Sequence, residues 1–137
     1  MKLSQEDKDI IISQINAKLN TKAIYLFGSF AKGVATKSSD VDIAYLSDSL
    51  IDNVARWNLA QDIAIVLKKD VDLIDLKQAH TILRYQIISN GIRIFGSGDE
   101  IEMFESMVYT QYIQFQEQRA DILQAKIDSF KGKLCQV

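Results

Sequence analysis

Residues 23–46 read AIYLFGSFAKGVATKSSDVDIAYL, and the division of this stretch decides the fold. Ala23–Phe27 is an unbroken apolar run, the pattern of a strand covered on both faces. Gly28 closes it. Val41–Leu46 is a second strand, entered through Asp40 and Asp42. Between the two lie a Gly-Ser turn, a short helix beginning at Phe30 and a loop of small residues. That connection is too short for a long crossover helix, so the sheet is expected to be antiparallel or mixed.

The rest of the chain reads outward from this pair. Ser4-Gln5-Glu6-Asp7 is a helix start, a Ser cap with an acid three residues later. Ile11, Ile15 and Leu19 then recur at helical spacing until Asn20-Thr21-Lys22. Ser47-Asp48-Ser49 supplies a cap for a helix over Leu50–Lys69, whose apolar face is expected to hold Leu50, Val54, Trp57, Ala64 and Leu67, with Trp57 in the core. Val71–Leu76 reads as a third strand, Lys77–Asn90 as a helix and Ile92–Phe95 as a fourth strand. Gly91 fits the left-handed position after a helix. Gly96-Ser97-Gly98 is a loop. From Glu100 to Lys131 there is neither Gly nor Pro, and Phe104, Val108, Tyr112, Phe115 and Ile122 mark one apolar face. A helix of about 30 residues is ~45 Å long, whereas a domain of this size has a radius of gyration near ~14 Å. This last helix therefore overshoots the body or bends, and its distal half is either a frayed end or a partner surface.

Four strands with interleaved helices make an α/β (α+β) sheet domain. The 137 residues, 47% hydrophobic and 25% charged, suffice for one domain with a core. A net charge of −2 argues against a dedicated nucleic-acid binder. No apolar run reaches the length of a membrane span, and the charged start MKLSQEDKD has no signal-peptide core, so a cytoplasmic protein is expected. Cys135, the single cysteine, allows no internal disulfide and is placed in a C-terminal tail.

The chemistry lies in residues 28–42. Asp40 and Asp42 sit two apart on a strand, so they share a face, ~6.6 Å apart along it. Such a pair can share divalent ions and would otherwise repel. Mg²⁺ prefers carboxylates combined with substrate phosphates. Gly28-Ser29 offers the phosphate grip: a backbone that approaches closely, successive N–H groups and a hydroxyl. Lys32 and Lys37 add positive charge. Asp-x-Asp alone carries no weight, because 13 Asp in this chain give roughly one such pair by chance and three occur. The information lies in the fixed offset from Gly-Ser, with both parts at strand ends.

Gly28-Ser29, ten intervening residues and Asp40-x-Asp42 together resemble the signature of the DNA polymerase β-type nucleotidyltransferase superfamily. The compact length resembles its minimal nucleotidyltransferase branch, the antitoxin partner in HEPN/MNT toxin–antitoxin pairs. The resemblance covers roughly residues 23–95. It implies a polymerase β palm-like fold, with residues 1–98 as nucleotidyltransferase core and 99–137 as a long helix and tail of the same domain. It also implies a third carboxylate on a later strand. Asp70, Asp72 and Asp75 compete; Asp72, flanked by Val71 and Leu73, is preferred, Asp75 falls on the other side of the strand and Asp70 reads as a strand-entry residue. The implied chemistry is in-line nucleotidyl transfer. Asp40, Asp42 and Asp72 hold two Mg²⁺, Gly28, Ser29 and Lys32 bind the ATP phosphates, and AMP passes to a tyrosine of a HEPN-domain ribonuclease toxin. Binding-only neutralisation, or a small-molecule or RNA acceptor, are the alternatives. Lys77 and Arg84 are secondary candidates for base or phosphate contact. His80 reads as a surface or cap residue, and Tyr109 and Tyr112 as core packing before partner contact.

Overall fold

The computed structural model describes residues 1–135. Local chemistry sets the element boundaries. The Ser4 hydroxyl accepts from the Asp7 N–H (3.0 Å), and the Asp7 carboxylate accepts from the Ser4 N–H (3.2 Å). This reciprocal cap starts α1 (Gln5–Lys18). Then follow β1 (Thr21–Phe27), the short α2 (Ser29–Lys32), β2 (Val41–Ser47), α3 (Asn53–Leu67), β3 (Val71–Asp75), α4 (Thr81–Asn90), β4 (Ile92–Phe95) and α5 (Asp99–Cys135). Cys135 thus ends a helix, and residues 136–137 lie outside the described residues.

The sheet runs β3-β2-β1-β4 and is mixed, with β1 antiparallel to β2 and β4, and β2 parallel to β3. The central strands β1 and β2 are largely buried on both faces because helices cover both. Ile24, Leu26, Val41, Ile43, Tyr45 and Leu73 pack with Ile11 and Ile15 of α1 and Leu59, Ala60 and Ile63 of α3. Ala23, Tyr25, Ala44 and Leu46 pack with Ile87 of α4 and Ile101 of α5. Charged and polar ties join the layers at the rim. Lys22 pairs with Asp48 (2.7 Å) and Glu100, and Lys77 pairs with the same Asp48 (2.6 Å). The buried Tyr25 hydroxyl donates to Glu105 of α5 (2.7 Å).

Four expectations change. Helix α3 is capped by Asp52, whose carboxylate accepts from the Ala55 N–H (2.7 Å), so Leu50 stays outside it. Its core face is Leu59, Ala60 and Ile63, while Leu50, Val54 and Trp57 are 74%, 68% and 62% exposed. The helix carries two apolar sets at helical spacing, and the sheet takes the one in register with its own side chains. Trp57 is therefore a surface residue. Helix α4 starts at Thr81 rather than Lys77, because Asp75 draws the preceding N–H groups into a turn: its carboxylate accepts from Lys77 (2.9 Å) and its carbonyl from Gln78 and Ala79 (3.1 Å each). Gly91 is not left-handed but extended (φ −78°, ψ 171°). A side chain there would collide with the Ile87 and Leu26 carbonyls, so close packing of α4 on β1 requires the glycine.

The fourth concerns the apolar face of α5, where Ile122 is 57% exposed, while the expected overshoot stands. It is one continuous helix of 37 residues, ~55 Å long. Ile101 and Val108 are buried, and Phe104, Tyr112 and Phe115 half-buried. Tyr112 stacks on Tyr85 of α4 (3.7 Å between centroids, 3° between planes), and Tyr109 meets Tyr85 edge-on. From Gln116 to Lys133 every residue is exposed, so the helix overshoots the body. Among the described residues, no helix is long and apolar enough to cross a membrane.

Gly91→Ala separates the packing role from the conformational one. Its backbone angles suit any residue, yet the variant is expected to lose about 2 kcal/mol, roughly 6–10 °C in melting temperature, because two backbone carbonyls must move. Thermal unfolding followed by circular dichroism checks this; an unchanged midpoint would contradict the contact.

Candidate active site

The turn after β1 is built for a close approach. Gly28 has φ 68° and ψ −149°, a region that only glycine enters without strain. A Cβ there would strike the Asp42 carboxylate, so the turn lies directly against that side chain. No side chain caps α2. The Ala31 and Lys32 N–H groups both donate to the Gly28 carbonyl (3.2 and 3.1 Å), which leaves the Ser29 and Phe30 N–H groups, beside the Ser29 hydroxyl, for an incoming anion. Gly33, left-handed at φ 76°, ends the turn of helix.

One carboxylate, Asp42, meets this turn, and two others lie near enough to act on it. Strand alternation puts Asp40 and Asp42 on the α4/α5 face of the sheet, and antiparallel pairing sets Asp42 opposite Phe27. The parallel register of β2 and β3 sets Asp72 directly opposite Asp42. Asp40 and Asp72 are exposed, while Asp42 is half-buried. Burial first, then the charges of Asp72 and Asp40, push the Asp42 carboxyl up from 3.8 to about 6. Three anionic groups are therefore close enough to feel one another. Among the described residues, no three His, Cys, Asp or Glu side chains close into a ready-made metal cage. The set is an open one, and a cation here would draw further ligands from a bound molecule.

The other candidates separate clearly. Asp75 faces α1 and α3, buried near Tyr45, away from this group. The Asp70 carbonyl accepts from the Val41 N–H (2.8 Å), which fits strand entry. Lys32 is exposed at the end of α2 and lines a cleft of about 240 Å³ with Phe27, Gly28, Leu83, Gln86 and Asn90. Lys37 is exposed in the loop before β2. Lys77 is held by Asp48, and Arg84 by the Leu76 (2.8 Å) and Lys77 carbonyls, so both are structural ties. His80 caps α4, its Nδ1 accepting from the Leu83 N–H (3.3 Å).

The cleft brings in residues that motif spacing did not single out. Gln86 and Asn90 stand one turn apart on α4, facing the Gly28 turn across the cleft. Their only signal in sequence is the i, i+4 spacing of two amides, which gains meaning once α4 is known to lie over the site.

The family described as "Polymerase beta, Nucleotidyltransferase" matches residues 9–100. The protein adenylyltransferase MntA of Shewanella oneidensis is 41% identical over 100 residues, 73% of this chain and 72% of that protein. A crystal structure of a toxin–antitoxin with AMP-PNP superposes with a TM-score of 0.80 at 36% identity, covering 88% of this chain and 98% of the other. A structure of tri-AMPylated Shewanella oneidensis HEPN toxin in complex with MNT antitoxin gives 0.77 at 33% identity, covering 91% and 99%. With the Gly28 turn, the paired carboxylates of β2 and the mixed sheet that joins them, this chain belongs to the polymerase beta nucleotidyltransferase family.

Proposed function

We propose that the protein is an antitoxin that transfers AMP from ATP to a tyrosine of a HEPN-domain ribonuclease toxin. The observation that carries this is the meeting of the Gly28-Ser29 turn with the Asp42 carboxylate, flanked by Asp40 and Asp72. The acceptor class comes from the relatives, which are a protein adenylyltransferase and an antitoxin in complex with an AMPylated HEPN toxin. A net charge of −2 disfavours RNA as acceptor.

The carboxylate set fits Mg²⁺: it is hard, anionic, mutually repelling and open to phosphate oxygens. Asp40, Asp42 and Asp72 would hold it. When bound it supplies charge neutralisation along the triphosphate and a Lewis acid at the α-phosphate. The chain's own groups do the positioning. The Ser29 hydroxyl and the free N–H groups of Ser29 and Phe30 hold the terminal phosphates, with Lys32 adding charge. Asp72, at the exposed end of the set, faces the acceptor and takes the proton of its hydroxyl as the oxygen attacks the α-phosphorus. The bond to pyrophosphate breaks opposite the one that forms. Rate comes from orientation and electrostatics. The exposed distal part of α5 offers one surface for holding the toxin.

The test incubates the protein with labelled ATP, Mg²⁺ and the cognate HEPN protein. Label should pass to the HEPN protein and fall by about 10³-fold or more in Asp40→Asn or Asp42→Asn. Undiminished toxin neutralisation by both variants would instead favour the binding-only reading.

The same charges predict a stability effect of opposite sign. An unfolded carboxyl titrates near 4 and the folded Asp42 near 6. Between these values the folded state holds more protons, so the metal-free protein loses stability as pH rises through that window. Asp42→Asn removes the penalty. It should melt higher than the parent at pH 7.5 without Mg²⁺, by roughly 1–2 kcal/mol, and match it at pH 4. Calorimetry across pH checks both the size and the sign.

A further inference from the structure

The transfer proposed above requires an acceptor to reach Asp72, and the outer edge of the sheet offers the route. β3 is the terminal strand on its side. The Asp70 carbonyl accepts from the Val41 N–H (2.8 Å), and the Leu76 N–H donates to the Tyr45 carbonyl (3.0 Å). Backbone groups alternate sides along a strand, so those of Asp70, Asp72, Ile74 and Leu76 turn toward β2. Those of Val71 and Leu73 turn outward. Among the described residues nothing bonds to them. Leu73 is only 5% exposed, so an unmatched donor and acceptor lie at the floor of a recess, where they call for a partner.

That recess is a groove of about 430 Å³ between the edge and α3, with Arg56, Trp57 and Gln61 on one wall and Val71, Asp72 and Leu73 on the other. The Arg56 guanidinium is steadied by the Asn53 side-chain oxygen (2.9 Å). Trp57 is 62% exposed, a large aromatic surface left to solvent beside a reactive carboxylate. Along β3, Val71 and Leu73 face α3 while Asp72 faces the site. A strand added to this edge inherits the same alternation. A residue seated beside Asp72 would then place both its sequence neighbours in the groove.

We propose that the acceptor segment of the partner protein docks as an extended strand on the outer edge of β3. Its tyrosine lies on the Asp72 side, and the flanking side chains lie against Trp57 and Arg56. This rests on the protein-acceptor reading above. Extended polypeptide is the occupant because alternating outward N–H and C=O groups are matched by another backbone, and the edge runs directly into the carboxylate that meets the acceptor.

Two measurements test it. The first is hydrogen exchange at single-amide resolution on the full chain carrying Asp40→Asn and Asp42→Asn, with and without the HEPN protein. Protection of the Val71 and Leu73 amides is expected. The second is transfer kinetics of Trp57→Ala, an exposed position whose loss leaves the core intact. The KM for the protein acceptor should rise roughly tenfold, with the KM for ATP changed by less than about twofold. A partner that protects only α5, or does not bind, overturns the proposal, as does an unchanged acceptor KM. Absence of label transfer in the parent protein would sink the transferase reading alone, because protection needs no chemistry.

Discussion

One carboxylate, Asp42, lies against a glycine with the charges of two others acting on it, and much of the architecture follows from that crowding. Asp42 is half-buried against Gly28, with Asp40 on its own strand and Asp72 directly across. Two of the three strand pairings each bring one part. The antiparallel β1–β2 pair delivers the turn, and the parallel β2–β3 pair delivers the third acid. The mixed sheet is thus what lets groups from three segments share one face. Repulsion is the cost of the arrangement, and the proposed cation with its triphosphate would relieve it.

The organisation of the candidate site was largely legible in the sequence because its determinants are local. The Gly-Ser turn, the ten-residue spacing and the acids at the strand entrance are close in sequence and close in space. The family resemblance favoured Asp72 and strand alternation set Asp75 apart, and the structure puts Asp75 on the opposite face with Tyr45. All four strands could be read, the first as a continuous apolar run and the other three as short, largely apolar stretches between helical patterns.

What escaped the sequence depended on tertiary neighbours. Helix α3 carries two apolar sets, and only the sheet decides that Leu59, Ala60 and Ile63 go inward while Trp57 goes outward. Gly91 looked like a left-handed cap but is needed for the approach of α4 to β1. Asp75 shortened α4 by capturing its first N–H groups, an effect invisible to periodicity. Gln86 and Asn90 became site neighbours only once α4 was seen to lie over the turn. The outward Trp57 is the instructive miss, because an aromatic side chain assigned to the core became the wall of a groove beside Asp72.

The contact between Gly28 and Asp42 is the centre of this account, and Gly28→Ala tests it most directly. Isothermal titration with a non-hydrolysable ATP analogue and Mg²⁺ compares the variant with the parent. The added methyl must displace either the turn or the carboxylate, so affinity should fall by about tenfold or more while the protein stays folded. Parent-like affinity in a folded Gly28→Ala protein would contradict the claim that this contact builds the nucleotide site.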